Sequence, residues 1–571
     1  MRNCMIMAVI AVITGCQNRP EETSAPVEKT GSTSAIFVDV TEQTQLRVDY
    51  QNGRESGLYA IVESLGGGCA ALDYDRDGQL DVFAPGGGTF AEGSRPAGRD
   101  SFLMRGTPSL VFESVAEIAL CSKSAQYSHG SAVADADNDG FADILVTGYG
   151  GLQFYRNLGD GTFEEVSADS RLEDSLWSSS AAWGDLNNDG ALDLYVCHYV
   201  DWSPENNPVC PGIGPDHRDV CPPREFNPLS DTLYLSNGDG SFTDASQASG
   251  LVDGGKGLGV VVADFDHDND SDIYVANDTT PNFLYQNDGT GKLTEVGVAS
   301  GTALDDRGLP NGSMGTATGD FDADGLTDLW VTNFEMETFG LYRNRDQLQF
   351  QHISRNSGVN AIGSKFVGFG TATEDFDLDG DLDIAVSNGH VIYHPTDGNT
   401  EQTPVYLENQ GNGVFRRVVP DREGQYFHAK HVGRGLLTGD FDGDGRVDLL
   451  FTHLNGPGCL LRNETKTSGR SVQVRLIGTQ SNRDGIGARL ILHTSAGEQV
   501  RHRTGGGSYL SQSQPLITFG VAPDVKCEKL SVFWPHDGRV ESIDVPQSAG
   551  LITLTESRGM STQAHIARTE Q

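Results

Sequence analysis

One nine-residue pattern, D-x-[DN]-x-D-[GN]-x-x-D, occurs seven times, at 73–81, 135–143, 185–193, 264–272, 320–328, 375–383 and 440–448. Successive starts lie 62, 50, 79, 56, 55 and 65 residues apart. Seven matches at such spacing require a repeat architecture, and a period near 60 residues points to a propeller or array. The surroundings repeat as well. A small-residue strand precedes each loop, as in GSAVA, GLGVVVA and GTATG, and an apolar or β-branched strand follows, as in DILVTG, DIYVAN and DLWVTN. A third segment ends in Asn (FYRN at 154–157, LYQN at 284–287, LYRN at 341–344, LLRN at 460–463). A Gly/Asp turn then leads to a fourth, such as FEEV at 163–166 or FRRV at 415–418. Four short strands per repeat, joined by turn chemistry, are the blade of a β-propeller.

The expected fold is therefore all-β, a seven-bladed β-propeller over residues 36–465 followed by a smaller β-rich domain. The two ends of the array support closure. The last repeat has no outer strand after Asn463, while FVDV at 37–40 precedes the first repeat without a partner. Pairing of Phe37–Val40 with 459–463 would stitch the ring shut and remove its open edges.

The loops carry the chemistry. Hard cations such as Ca²⁺ take six to eight oxygen ligands, mostly carboxylate and carbonyl. Alternating carboxylates at positions 1, 3 and 5 of a tight loop can point inward together, with a further one at position 9. The predicted ligands are Asp73, Asp75, Asp77 and Asp81 in the first loop, and Asp135, Asp137, Asp139 and Asp143 in the second. The third offers Asp185, Asn187, Asp189 and Asp193, and the fourth Asp264, Asp266, Asp268 and Asp272. The fifth offers Asp320, Asp322, Asp324 and Asp328, and the sixth Asp375, Asp377, Asp379 and Asp383. The seventh offers Asp440, Asp442, Asp444 and Asp448, so up to seven Ca²⁺ are expected. An EF-hand needs Glu at position 12 between helices. Here position 12 is Ala84, Val146, Val196, Val275, Val331, Val386 and Phe451, within predicted strands. The fourth loop departs most, with Asn269 where the others have Gly.

Charge follows from the same loops. The formal net charge is −40, and 29 of the 80 acidic residues sit in these seven segments. Such a chain lacks the basic face that nucleic acid or anionic lipid requires. Its acidity reads as a metal inventory.

The loop-between-strands arrangement resembles the FG-GAP/VCBS repeats of integrin α-subunit propellers, over residues 36–465. Beyond it, SNRDGIGARL (481–490), GGGSYLSQSQP (505–515), FGV (519–521) and LSVFWPHDGRVESI (530–543) resemble the ASPIC/UnbV domain, over 466–560, with a tail at 561–571. SVQVRLIG, ARLILHT, LITFGV and KLSVFW read as its strands. The layout is similar to that of cartilage-acidic-protein-like proteins and their bacterial relatives. The resemblance implies an extracellular calcium-binding or adhesion-type protein, and no settled reaction.

The first residues read as an address. Arg2 precedes an apolar run, Met5 to Ile13, too short to span a bilayer. Ile13-Thr14-Gly15-Cys16 resembles a bacterial lipobox, so 1–16 reads as a lipoprotein signal peptide with Cys16 lipidated, and 17–35 as a flexible tether. The expectation is an exported lipoprotein, outer-membrane, periplasmic or cell-surface, touching membrane only through its anchor. Cys210 and Cys221 flank a Pro/Gly-rich stretch, and a disulfide closing it is expected in an oxidising compartment.

No GxSxG, HExxH, Walker A or GxGxxG motif stands in a suitable context. His198 and His217 lie in an insertion at 198–230 with Asp201 and Trp202, while His390, His394, His428 and His431 lie beside later loops. These could gather around the channel as a transition-metal site, or sit as loop histidines on a solvated rim. Two functional readings remain. One is a non-enzymatic propeller that binds a protein or glycan partner at the cell envelope. The other is an exported enzyme or redox protein with a site at the ring face under the insertion. Sequence specifies neither the partner nor the oligomeric state.

Overall fold

Small residues open every repeat because strands from all seven converge side by side. The computed structural model describes residues 35–91, 95–212, 217–395, 399–421 and 425–565. Cys16, the expected signal peptide and the expected tether up to residue 34 lie outside the described residues. Strands dominate, and the α-helices among the described residues are single turns at Thr41–Thr44, Ser246–Ser249 and Gly297–Ser300. None is long and apolar enough to cross a membrane.

Each Asp loop joins the first two, antiparallel strands of a sheet that has four strands in five repeats, five in the fourth, where Gly505–Gly506 pairs with the first strand, and seven in the last. The first sheet is Ala70–Leu72, Asp81–Ala84, Phe102–Arg105 and Glu113–Ser114; the second is Tyr127–Ala134, Asp143–Tyr149, Gly151–Asn157 and Phe163–Glu165. The first strands of the others are Ser178–Gly184, Gly257–Ala263, Thr316–Gly319, Gly368–Glu374 and Gly433–Gly439. Each first strand touches that of the next sheet, and Gly433–Gly439 touches Ala70–Leu72. This is a propeller-type array. The expected closure is present: Phe37–Asp39 pairs antiparallel with Gly456–Asn463, with Phe37 opposite Asn463 and Asp39 opposite Leu461. That seam buries Phe37 against Phe376, Tyr406 and Phe427.

The C-terminal part is a sandwich of two four-stranded sheets. One holds Ile517–Val521, Arg470–Ile477, Leu551–Thr555 and Gly559–Gln563; the other holds Gly497–His502, Arg489–Thr494, Cys527–Phe533 and Val540–Asp544. Alternating apolar residues from both, among them Val472, Val474, Leu490, Leu530, Trp534 and Ile552, form its core. The last strand runs to Gln563, three residues past the boundary at 560 expected from sequence.

A segment of this domain, residues 505–514, occupies the middle of the propeller array. It exchanges hydrogen bonds with the first-strand region of every sheet. Gln512 N donates to Cys69 O (2.9 Å), and Leu510 O accepts from Ser131 N (3.1 Å). Leu510 N donates to Ser180 Oγ (3.1 Å), and Gly507 N to Val260 O (2.8 Å). Ser508 pairs with Thr316 in both directions (2.6 and 2.9 Å), and its Oγ accepts from Thr371 N (3.1 Å) and donates to Leu436 O (2.7 Å). The glycines are steric necessities: a Cβ on Gly505 would stand 1.7 Å from Trp183 O, and one on Gly68 would stand 2.0 Å from Leu510 O.

Candidate metal loops and their surroundings

In each loop the second and third turns are built by left-handed residues. Position 4 has positive φ in every loop, as at Arg76 (58°) and Leu378 (60°), and so does position 6, as at Gly78 (85°). Asn269, the expected weak point, holds the same conformation (74°), which Asn tolerates better than other side chains. The position 6 amide donates to the position 1 carboxylate in six loops, for example Gly78 to Asp73 (3.2 Å) and Asn269 to Asp264 (3.1 Å). The backbone thus wraps inward and turns the carboxylates of positions 1 and 3, with that of position 5 or 9, toward one another. Asp73, Asp75 and Asp81 each bring an oxygen within 4.8 Å of the others. So do Asp135 with Asp137 and Asp139, Asp264 with Asp266 and Asp272, Asp320 with Asp322 and Asp324, and Asp375 with Asp377 and Asp379.

Position 9 has a second task. In all seven loops one of its oxygens accepts the amide ending the third strand, from Gly106 to Asp81 through Asn463 to Asp448. In six, the other accepts the amide of loop position 2. The aspartate pins the loop to its own sheet.

Crowding these carboxylates out of water makes their ionisation costly. Burial, above all, pushes Asp81 and Asp328 up to about 8, and Asp135, Asp193, Asp264 and Asp440 up to about 7, with neighbouring carboxylates adding to each shift. Several oxygens are buried without any hydrogen-bond partner: Asp73 Oδ1, Asp135 Oδ1, Asp264 Oδ1 and Asp266 Oδ1. Inward-aimed, unpartnered carboxylate oxygens on a rigid loop are the donor set a hard divalent cation requires, so the residues fit Ca²⁺. Arginines share the job in places. Arg105 pairs with Asp75 (2.7 Å) and Asp77 (2.8 Å), and Arg343 with Asp322 and Asp324.

Two further sets of residues serve the loops, and sequence reasoning gave neither a role. The Asn that ends the third strand crosses between sheets. Asn344 Nδ2 donates to Phe265 O of the preceding loop (2.8 Å) and to Thr327 O of its own (3.0 Å). Asn157, Asn287, Asn409 and Asn463 repeat the double bond at four other seams. Replacing the buried Asn344 by Ala orphans two carbonyls, and a loss of about 2–4 kcal/mol in urea denaturation is expected; a loss under about 0.5 kcal/mol would mean the staple is dispensable. The other set is the 505–514 segment itself.

The histidines do not form one cluster around the channel. His198 is buried against Asp174 (2.7 Å), His390 against Glu335 (3.3 Å), and His428 faces Asp421 (3.4 Å). His431 stacks on His453, ring centres 4.8 Å apart. Among the described residues, the insertion's Trp202, Val220 and Phe226 share one core with Ile61, Val62, Trp177, Tyr509 and Leu510. The predicted Cys210–Cys221 disulfide is present. Cys69, Cys121, Cys197, Cys459 and Cys527 are free and buried.

The chain matches the FG-GAP-like repeat over residues 135–196, 226–275, 266–331 and 375–451, and the ASPIC and UnbV family over 478–561. It is 25% identical over 546 residues to cartilage acidic protein 1 of Xenopus tropicalis, covering 88% of this chain and 74% of that one. To the human protein of that name it is 26% identical over 441 residues, 73% of this chain and 61% of the other. It therefore spans less than two thirds of the human relative's length. Solved structures similar to it include the BP39L lectin of Burkholderia pseudomallei, 9% identical with a TM-score of 0.41 over 70% of this chain and 97% of that one. The Dos1 propeller is 10% identical with a TM-score of 0.34, over 73% and 95%.

Proposed function

Because this chain carries FG-GAP-like repeats followed by an ASPIC and UnbV domain, we propose that it is an exported, lipid-tethered, seven-bladed propeller that loads Ca²⁺ in its loops and binds a protein or glycan partner at the cell envelope. The observation that carries the calcium reading is the convergence of buried, unpartnered carboxylate oxygens, seen at Asp73, Asp135, Asp264 and Asp266. Ca²⁺ supplies charge that these oxygens otherwise lack, and the chain's own residues position it: Gly or Asn at position 6 turns the loop, and position 9 anchors it. The ions serve shape. A propeller whose middle is filled by residues 505–514 offers its faces and rim to partners, which favours binding over catalysis in a channel.

Two experiments test this. Fractionation of cells expressing the full chain and its Cys16→Ser variant should find the first with membranes and the second in the soluble exported fraction. Equal partition of both would remove the anchor from the account. A glycan array and an envelope-protein pull-down, each run with Ca²⁺ and after its removal, should show retention of a partner that needs the ion. Binding indifferent to calcium would separate the loops from recognition.

A further inference from the structure

The insertion places two of its polar residues against a loop far away in sequence. Cys210–Pro211 and Arg218–Asp219 pair antiparallel, and the Cys210–Cys221 disulfide ties the pair together. Asp219 is buried, and it holds the 390–394 loop in place: Oδ1 accepts the amide of Tyr393 (2.8 Å), and Oδ2 that of His394 (2.8 Å). The same Oδ2 lies 3.3 Å from His394 Nδ1. His217 stands beside them, its ring centre 5.2 Å from that of His394. Around this group, Arg218 lies over Tyr59, Tyr59 meets Tyr393 edge-on, and Arg54 lies over Tyr393, whose hydroxyl donates to Glu63 (2.7 Å). The strand pair is thereby clamped to the loop.

We propose that His217, Asp219 and His394 form a site for one first-row transition-metal ion, Zn²⁺ or Cu²⁺, distinct from the acidic loops. Two imidazoles and one carboxylate suit such ions, whereas hard Ca²⁺ prefers all-oxygen shells. Two imidazoles bound tetrahedrally to one ion, each nitrogen about 2 Å away, put their ring centres about 5 Å apart, as here. The carboxylate is already held by the backbone amides of Tyr393 and His394, so it is in place before an ion binds. His394 also lines a cavity with Arg54, Tyr59, Glu63 and Tyr393, which gives a remaining coordination position room for water or an anionic ligand.

The test uses the full chain saturated with Ca²⁺, so that the acidic loops are not available, and Co²⁺ as the optical probe. Wild type should bind one Co²⁺ per chain with visible d–d absorption, displaced stoichiometrically by Zn²⁺. His217→Ala and His394→Ala should each weaken binding at least tenfold while the melting temperature without added transition metal stays unchanged, since neither histidine is buried. Absence of Co²⁺ uptake by the Ca²⁺-saturated wild type, or wild-type affinity in both variants, would overturn the site.

Discussion

Stripping divalent cations from the full chain is expected to lower its melting temperature and to give its stability a dependence on pH that the loaded protein lacks. Each ion held at about 100-fold excess over its dissociation constant adds roughly 2.7 kcal/mol to the folded state. Three or four occupied loops therefore correspond to a drop of about 5–10 °C for a chain of this size. The pH effect follows from the buried carboxylates. In stripped protein, burial pushes Asp81 and Asp328 up to about 8, while their unfolded values are those of ordinary carboxylates. Between these values the folded state binds more protons than the unfolded one, so stability rises as pH falls from about 8. Buried histidines act in the opposite sense. His129 and His502 are lowered by burial to about 3, so below about 6.5 the unfolded chain takes up protons that the folded one refuses. The clean window is thus pH 8 to 6.5. With Ca²⁺ in excess these carboxylates are ionised in the folded chain as they are in the unfolded one, so the affinity lost to competing protons cancels the gain seen in metal-free protein and stability is nearly flat over that window. Urea denaturation at pH 8, 7.2 and 6.5, with the metal removed by dialysis or supplied in excess, reads both slopes. Equal slopes with and without Ca²⁺ would mean that the loops do not hold a cation.

The second large effect concerns the segment in the middle of the ring. Tyr509 is wholly buried and packs on Phe369, ring centres 4.9 Å apart. Tyr509→Ala should cost about 3–5 kcal/mol, as for other buried aromatics cut to Ala. The exposed Val540→Ala control should stay within about 0.5 kcal/mol. Because residues 505–514 bond to the first-strand region of all seven sheets, the array and the sandwich should also unfold together. Calorimetry of wild type should give one cooperative transition, and Tyr509→Ala should split or broaden it. Two well-separated transitions in wild type would show that the segment does not couple the two parts.

How much of this was legible depends on how local each signal is. The nine-residue loop pattern carries its own turn residues and charges, so loops, flanking strands and fold class could be read directly. The seam at Phe37–Asp39 followed from counting strands, since one end lacked what the other had spare. The Cys210–Cys221 bridge is eleven residues long. The segment at 505–514 was different. Its Gly, Ser and Gln residues look like a loop, and its partners lie far off, as with Gln512 Oε1, which accepts from Val133 N at a separation of 379 residues. Nothing in a local window reports such a contact. The third-strand Asn was visible as a repeated residue, but its acceptor belongs to the neighbouring repeat, so its role emerges only once the sheets are side by side. Expectation and structure parted at the insertion. A site beneath it was conceivable from its His and Trp residues, yet Trp202, Val220 and Phe226 belong to an apolar core instead. Of the predicted histidines, His217 and His394 do meet, their ring centres 5.2 Å apart.

The central claim is that the acidic loops are cation sites, and calorimetric titration of metal-free protein with Ca²⁺ tests it most directly. The account predicts uptake of several Ca²⁺ per chain and the loss of one in an Asp264→Asn, Asp266→Asn double variant, which neutralises two carboxylates with unpartnered buried oxygens. No heat of binding at millimolar Ca²⁺, together with a melting temperature indifferent to EGTA, would contradict it.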